Sequence, residues 1–215
     1  MERVTSRQNA VVKRFRELGR ASRAAAPVGR AEVHGTGGHA GEILLDGEHL
    51  VQEALACDVP VEIAAFLDRQ VANVLSPLAR LAKDVRKRGG KAILVSDAVL
   101  AAMSPVQHPS GVVAIARARA TDVGVVFAAA CDHGPHLPLV IVLAGVQDPG
   151  NVGAIVRASA AFGAAGIVAI EGTANPFSWK ALRGAMGGTF RLPVAARGTA
   201  PDLIAAAHQL SLIHI

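Results

Sequence analysis

The stretch from Leu139 to Val146 is an almost unbroken apolar run that ends in the turn signal Asp148-Pro149-Gly150. A strand apolar at successive positions, rather than at alternate ones, suits a parallel sheet covered on both faces. The residues that follow, Asn151–Phe162 closed by Gly163, carry helical spacing. Strand, tight turn and helix in that order demand an α/β architecture, and open sheets of this kind place ligands at the carboxyl ends of their strands. The rhythm continues with a strand over Gly166–Ile170, a helix over Ser178–Met186, a strand over Phe190–Val194 and a helix over Pro201–Gln209. Proline in the first turn of that last helix is in a favoured place.

Upstream lies a second set of alternating elements. Ser6 is placed to cap a helix over Arg7–Leu18, with Val11, Val12, Phe15 and Leu18 on one face. Arg20–Gly41, rich in Ala, Gly and Arg, reads as irregular. Strands are expected over Glu42–Leu45, Val61–Leu67, Ala92–Val95 and Gly111–Arg117. Helices are expected over Glu48–Ala56, over Val71–Arg88 in pieces around Pro77, and over Asp97–Ala102. The division this predicts is an α/β module over 1–117, a join over 118–137 marked by Gly and Pro, and a second α/β module over 138–215.

Composition narrows the function. The longest apolar run, Leu137 to Val146, is interrupted by Pro138 and falls short of the roughly 18–20 residues of a membrane helix. The basic N-terminus lacks the apolar stretch of a secretory signal. Cys57 and Cys131 are isolated, which suits a reducing cytoplasm, and the scattered His and Cys show no metal-type spacing, so no metal is expected. The first thirty residues hold eight basic side chains against Glu2 and Glu17, so the net +5 of the chain is concentrated there. A second basic cluster, Lys83, Arg86, Lys87, Arg88 and Lys91, has only Asp84 as counter-charge. Such patches suit a polyphosphate partner, although either alone also fits a solvated helix face. Tyr is absent and aromatics make up 3% of the chain, so contacts to phosphate and shape are expected rather than base stacking.

Two stretches carry chemistry. In the first, Asn151 stands at the start of a helix and Arg157 follows six residues on, about 120° around the axis. Arg157 falls among Ala154, Ile155, Ala158 and Ala161, where a guanidinium must find a carboxylate, a phosphate or an interface. A buried ion pair for Arg157 and a plain N-cap for Asn151 remain open as structural alternatives. In the second, Ser178 can cap a helix bearing Lys180 and Arg183 on one face, as a phosphate-binding pair would need. Gly184, Gly187 and Gly188 then thin the helix end before Leu192-Pro193-Val194. The chain lacks the GxGxxG of a dinucleotide fold, which counts against a nucleotide-binding protein of another reaction class.

Asn151, Arg157 and Phe162-Gly163 together resemble the first signature of the SpoU/TrmH RNA 2′-O-ribose methyltransferases, and Lys180–Arg183 to Leu192-Pro193-Val194 is similar to their second. Thr5-Ser6-Arg7-Gln8-Asn9 with Lys13, and Leu45-Asp46-Gly47-Glu48-His49-Leu50-Val51, resemble the family's ribosomal-protein-like substrate-binding domain. The resemblance implies that domain followed by an α/β trefoil-knot domain, an exception to the rule of unknotted chains. It implies methyl transfer from S-adenosylmethionine to a ribose 2′-hydroxyl of structured RNA, ribosomal RNA ahead of transfer RNA, by a homodimer. Arg157 and Asn151 would be catalytic, Leu192 and Pro193 would touch the cofactor, and Arg7, Lys13, Arg14, Lys180 and Arg183 would hold RNA. Ala185 stands where the second motif often has Ser, so no role of that hydroxyl is carried over.

The third family signature, a Gly-rich turn with a Ser-Leu-Asn helix start, does not occur before Ile215, so a C-terminally truncated chain with an incomplete knot and cofactor pocket is expected, one that by itself binds S-adenosylmethionine poorly and is inactive. Leu210–Ile215 matches the translation of a sequencing adapter and is expected to be foreign to the natural chain. The alternative function is a non-catalytic RNA-binding module. The presence of both Asn151 and Arg157 favours an enzyme, since a scaffold has no need of that pair.

Overall fold

The computed structural model describes residues 1–24, 41–118, 120–132 and 139–209. Most of the stretch expected to be irregular, part of the expected join and residues 210–215 lie outside these. The described residues form two units, one of Met1–Ala24 with 41–118 and the other of 120–132 with 139–209. Among them no helix is long and apolar enough to cross a membrane.

Unit one contains β1 (Glu2–Val4), α1 (Ala10–Ala24), β2 (Glu42–Asp46), α2 (Glu48–Ala56), β3 (Val61–Leu67), α3 (Asp68–Val71), α4 (Pro77–Lys87), β4 (Lys91–Val95), α5 (Asp97–Met103) and β5 (Val112–Arg117). The sheet order is β1-β4-β3-β5-β2, with β5 antiparallel to both its neighbours and the other pairings parallel. Val112 to Ala116 are buried at successive positions, so the sheet needs cover on both faces, which the helix pairs α1–α5 and α2–α4 supply. Phe15, Phe66, Leu44, Ile93 and Met103 fill the core. α4 is held by Ser76, whose Oγ accepts from the Ala79 N–H at 3.1 Å, and by Pro77 in the first turn.

Two expectations for this unit are corrected. The cap of α1 is Asn9, whose Oδ1 accepts from the Val11 N–H at 2.9 Å, whereas Ser6 accepts from Gln8 within the preceding turn. The helix also continues past Leu18 to Ala24, because Arg20, Ala21, Arg23 and Ala24 are strong helix formers. β1 gave no apolar signal. Its place beside β4 is secured by Lys91–Glu2 at 2.6 Å and by Arg3–Asp68 at 2.7 Å, besides the ladder itself.

Unit two contains α6 (Val123–Cys131), β6 (Val140–Leu143), α7 (Pro149–Ala161), β7 (Gly166–Ile170), α8 (Trp179–Ala185), α9 (Gly188–Arg191), β8 (Val194–Gly198) and α10 (Ala200–Gln209). The sheet is parallel with β7 between β6 and β8. Alternate residues of β7 serve two cores: Ile167 and Ala169 pack with α7 and α8, while Val168 packs with α6 and α10.

Three expectations fail here. The join contains α6, because Val126, Phe127 and Ala130 are buried against the sheet. β6 is a short edge strand with Val142 40% exposed, so burial at successive positions belongs to β7 instead. Phe190–Val194 is not a strand: left-handed backbone at Met186 (φ 51°) and Gly187 (φ 90°) turns the chain into α9, and β8 starts only at Val194.

α7 and α8 meet backbone to backbone. A Cβ on Gly153 would lie 2.3 Å from the Ala181 carbonyl oxygen, and one on Gly184 would lie 3.2 Å from the Gly153 Cα. Gly153→Ala is therefore expected to destabilise unit two by about 1–3 kcal/mol. The measurement is urea unfolding followed by fluorescence of Trp179, the one tryptophan of the chain. Gly124→Ala, in α6 with nothing within 4 Å, is expected to be neutral or to stabilise by up to about 1 kcal/mol. Equal losses in both variants would reject the close-approach argument.

Candidate functional site

The carboxyl ends of β6 and β7 are stitched together before either helix begins. The buried Thr173 hydroxyl donates to the Leu143 carbonyl at 2.8 Å, and the Ala174 N–H donates to the Val146 carbonyl at 2.8 Å. Gly145 and Gly172, both at positive φ, allow the two loops to pass closely: a Cβ on Gly172 would sit 3.5 Å from the Gly145 Cα. The Asn175 side chain then accepts from the Phe177 N–H at 2.8 Å, and Ser178 caps α8 by accepting from Ala181.

Asp148 joins the two helix starts. Its Oδ1 caps α7 by accepting from the Asn151 N–H at 2.9 Å, while its Oδ2 accepts from the Lys180 ammonium at 2.7 Å. Lys180, and after it the Asn151 N–H, holds the Asp148 carboxyl below the ordinary aspartate value. The plain-cap alternative for Asn151 is thereby removed. Asn151 is the third residue of α7, its N–H is taken by Asp148, and its side chain is exposed.

The buried-ion-pair alternative for Arg157 fails as well. α7 buries Val152, Gly153, Val156 and Ser159, while Ala154, Arg157, Ala158 and Ala161 face outward. Among the described residues, the side chains of Arg157, Arg183 and Asn151 make no hydrogen bond or ion pair, and all three are exposed. α9 begins directly over Arg157, since a Cβ on Gly188 would lie 3.4 Å from the Arg157 Cα and 3.3 Å from the Val156 carbonyl. The structure thus gathers Asn151, Arg157, Lys180 and Arg183 on two glycine-crossed helices. Leu192 and Pro193, half-buried, follow α9, where Leu192 packs on the α7–α8 core and the Pro193 carbonyl accepts from the Ile167 N–H at 3.0 Å.

Thr173 and the double role of Asp148 escaped the sequence reading. An Asp-Pro pair before a helix was a usable signal for the cap, since Asp favours N-cap and Pro the first turn. No pattern marks Thr173, whose partner is thirty residues away.

In unit one, Arg7 and Lys13 are exposed, with Arg7 Nε donating to the Ala98 carbonyl at 3.2 Å. Arg14 turns inward. It pairs with Glu42 and Glu62, the latter also held by Arg117, and the Glu42 contact foremost raises the Arg14 guanidinium above its ordinary value.

Because its folded value is depressed, the Asp148 carboxylate contributes stability that is present above its unfolded value and lost as pH falls through the folded one. Carboxyl NMR is expected to give Asp148 a midpoint below the ordinary aspartate value of 3.8, and Lys180→Gln is expected to move it back upward. A midpoint in the unmodified chain at or above that value would refute the bridge.

Comparison with known proteins agrees with this geometry. Residues 138–214 match the model of the SpoU rRNA Methylase family, and residues 44–121 match that for RNA 2′-O ribose methyltransferase substrate binding. An uncharacterised tRNA/rRNA methyltransferase of Synechocystis is 32% identical over 97% of this chain and 67% of its own length. The 23S rRNA (guanosine(2553)-2′-O)-methyltransferase RlmP of Bacillus subtilis is 29% identical over 72% of this chain and 54% of its own length. The crystal structure of an rRNA methyltransferase from Sinorhizobium meliloti covers 96% of this chain with TM-score 0.74 and 26% identity, while the chain covers 69% of it. Its AdoMet-bound form gives 0.72, with 25% identity, 96% of this chain and 68% of that one. With an α/β unit of each matching kind, and Asn151 and Arg157 on the helix after β6, the chain belongs to the SpoU rRNA methylase family.

Proposed function

We propose that this chain carries the substrate-docking unit and the catalytic helix pair of an enzyme that methylates ribose 2′-hydroxyls in structured ribosomal RNA. The observation that carries the reading is Arg157, exposed and without a protein partner among the described residues, on the helix that Gly153 and Gly184 press against the Lys180–Arg183 helix. The rRNA methyltransferases to which the chain is similar support the substrate class.

S-adenosylmethionine is the methyl donor, supplying an electrophilic methyl on a cationic sulfur for in-line displacement by the ribose oxygen. The residues present fit that group. The Thr189 hydroxyl, 4% exposed, has no hydrogen-bond partner among the described residues and lies three positions before Leu192. Leu192 and Pro193 would hold the cofactor from one side.

Arg157 is a poor base, because a guanidinium stays protonated at any working pH. Its work is to align the phosphate beside the reacting ribose and to stabilise the alkoxide that develops as the hydroxyl loses its proton. Asn151, one and two-thirds turns earlier, positions the ribose. Holding oxygen and methyl in line supplies much of the acceleration. Arg183 and Lys180 hold phosphate, with Lys180 passing between Asp148 and the RNA. Arg7 and Lys13 hold phosphate on unit one, but Arg14 leaves the set because Glu42 and Glu62 already engage it.

A second copy of the chain covers the outward face of α7. Ala154, Ala158 and Ala161 lie open there, and Phe162 at its end is 87% exposed. Cys57 and Cys131 are not bridged to each other, which suits a reducing cytoplasm.

Mapping of 2′-O-methylation in ribosomal RNA incubated with S-adenosylmethionine and the completed protein, this chain joined to a segment bearing the third family signature, tests the reading. Arg157→Ala is expected to lose at least about 100-fold in methylation rate while keeping its fold. A variant that methylates at the unmodified rate would reject the role of Arg157.

Two adjacent basic residues of α1, Lys13 and Arg14, are expected to separate cleanly. Lys13→Ala lowers the slope of log affinity against log salt by about one with no change in stability. Arg14→Ala costs unit one about 1–3 kcal/mol in urea, because it removes the guanidinium that Glu42 and Glu62 share.

A further inference from the structure

We propose that the outward face of α4, with the Val74–Leu75 tip that precedes it, is a second RNA-docking surface, separate from α1 and from the Asn151–Arg157 helix. This rests on the reading of the chain as a protein that handles RNA, and adds which further surface of unit one meets it.

The first observation is apolar exposure on a fixed support. Val74 and Leu75 are adjacent and are 80% and 77% exposed. The loop that carries them is well tied. Asn73 Oδ1 accepts from the Leu75 N–H at 3.0 Å, the Ser76 N–H donates to the Asn73 carbonyl at 2.9 Å, and the Ser76 hydroxyl donates to the Gln70 carbonyl at 2.7 Å. Arg80 Nη2 donates to the Leu75 carbonyl at 3.0 Å, joining the tip to the helix behind it. Two large apolar side chains held out in water by such a support are poised for contact rather than left over from poor packing.

The second observation is charge. α4 buries Leu78, Leu81, Ala82 and Val85. At about 100° per residue, Arg80, Lys83 and Lys87 fall on the opposite stripe, with Arg86 on its flank. Lys83 and Arg86 make no ion pair or hydrogen bond among the described residues, and Lys87 has only Asp84 at 3.8 Å. Several neighbouring basic side chains of unit one are paired instead: Arg3 with Asp68, Arg69 with Asp97, Arg88 with Asp58 and Lys91 with Glu2.

A stripe of cations, with the Lys83 and Arg86 side chains unpaired among the described residues, beside an uncharged tip fits a polyanion that also shows non-ionic surface. Double-stranded RNA does so: phosphates flank a wide, shallow minor groove lined by riboses. The stripe takes phosphates, and Val74 and Leu75 lie on the sugars between them.

The test measures binding of the chain to ribosomal RNA transcripts and to a poly(rA)·poly(rU) duplex over a range of salt. Lys83→Gln/Arg86→Gln/Lys87→Gln is expected to weaken binding at least tenfold at low salt and to lower the salt slope by about two to three. Val74→Ser/Leu75→Ser is expected to weaken binding several-fold with the slope unchanged, the mark of an uncharged contact. In the unmodified chain, amides of 77–87 are expected to gain protection from hydrogen exchange when RNA is added, a readout that needs no variant to fold. Both variants binding as the parent does, with Lys13→Ala weakened, would overturn this surface alone. No RNA binding by the parent would overturn the underlying reading. Loss of binding to vesicles of anionic lipid or to an acidic peptide, with RNA binding intact, would assign the face to another partner and overturn the proposal.

Discussion

The contact on which unit two depends is the crossing of α7 and α8 at Gly150, Gly153 and Gly184, where no side chain separates the backbones. Interiors pack so densely that a single methyl is felt. Removing even that methyl from the contact brings the two helices close enough for Asp148 to cap one and bridge to Lys180 on the other. The separation between the Asn151–Arg157 face and the Lys180–Arg183 face is then set by main chain. Main chain has no rotamers to lose, so the geometry comes without the entropy that ordering long side chains would cost.

Charge is managed differently in the two units. In unit one, Arg14, Arg117, Glu42 and Glu62 form an internal cluster that fastens α1 to β2 and β3, so one basic residue of a basic helix serves the fold. In unit two the reverse holds at the candidate site: the Arg157 and Arg183 side chains stay uncommitted among the described residues, while Lys180 pairs with Asp148. An exposed pair such as Lys180–Asp148 contributes little to stability, and for that reason it can be exchanged for a phosphate at small cost.

Much of this was legible in the chain. The apolar run before Asp148-Pro149-Gly150 announced a strand, turn and helix at a sheet edge, and the glycines after Arg183 announced a close approach. The alternating elements of unit one were also readable. Other features were not. Asp148 and Asn151 are equally good caps three residues apart, and only the fold decides which one precedes the first turn. The β-formers around Phe190 and Leu192 spoke for a strand, but left-handed backbone at Met186 and Gly187 outweighed them locally. β1 has no apolar pattern because it borrows its place from the ladder of β4. Whether Arg14 faces solvent or carboxylates depends on Glu42 and Glu62, residues distant in sequence that periodicity cannot pair with it.

β7 is a wall shared by two rooms. On one side Ile167 and Ala169 support the helices that bear Arg157 and Lys180, and on the other Val168 meets α6 and α10. The wall is one strand thick, so a volume change at Phe127 or Ala207 pushes through it toward residues it never touches. Positions on the far side of the sheet thereby inherit the tolerances of the near side, and drift of sequence in α6 and α10 is bounded by the alignment of a guanidinium they do not contact.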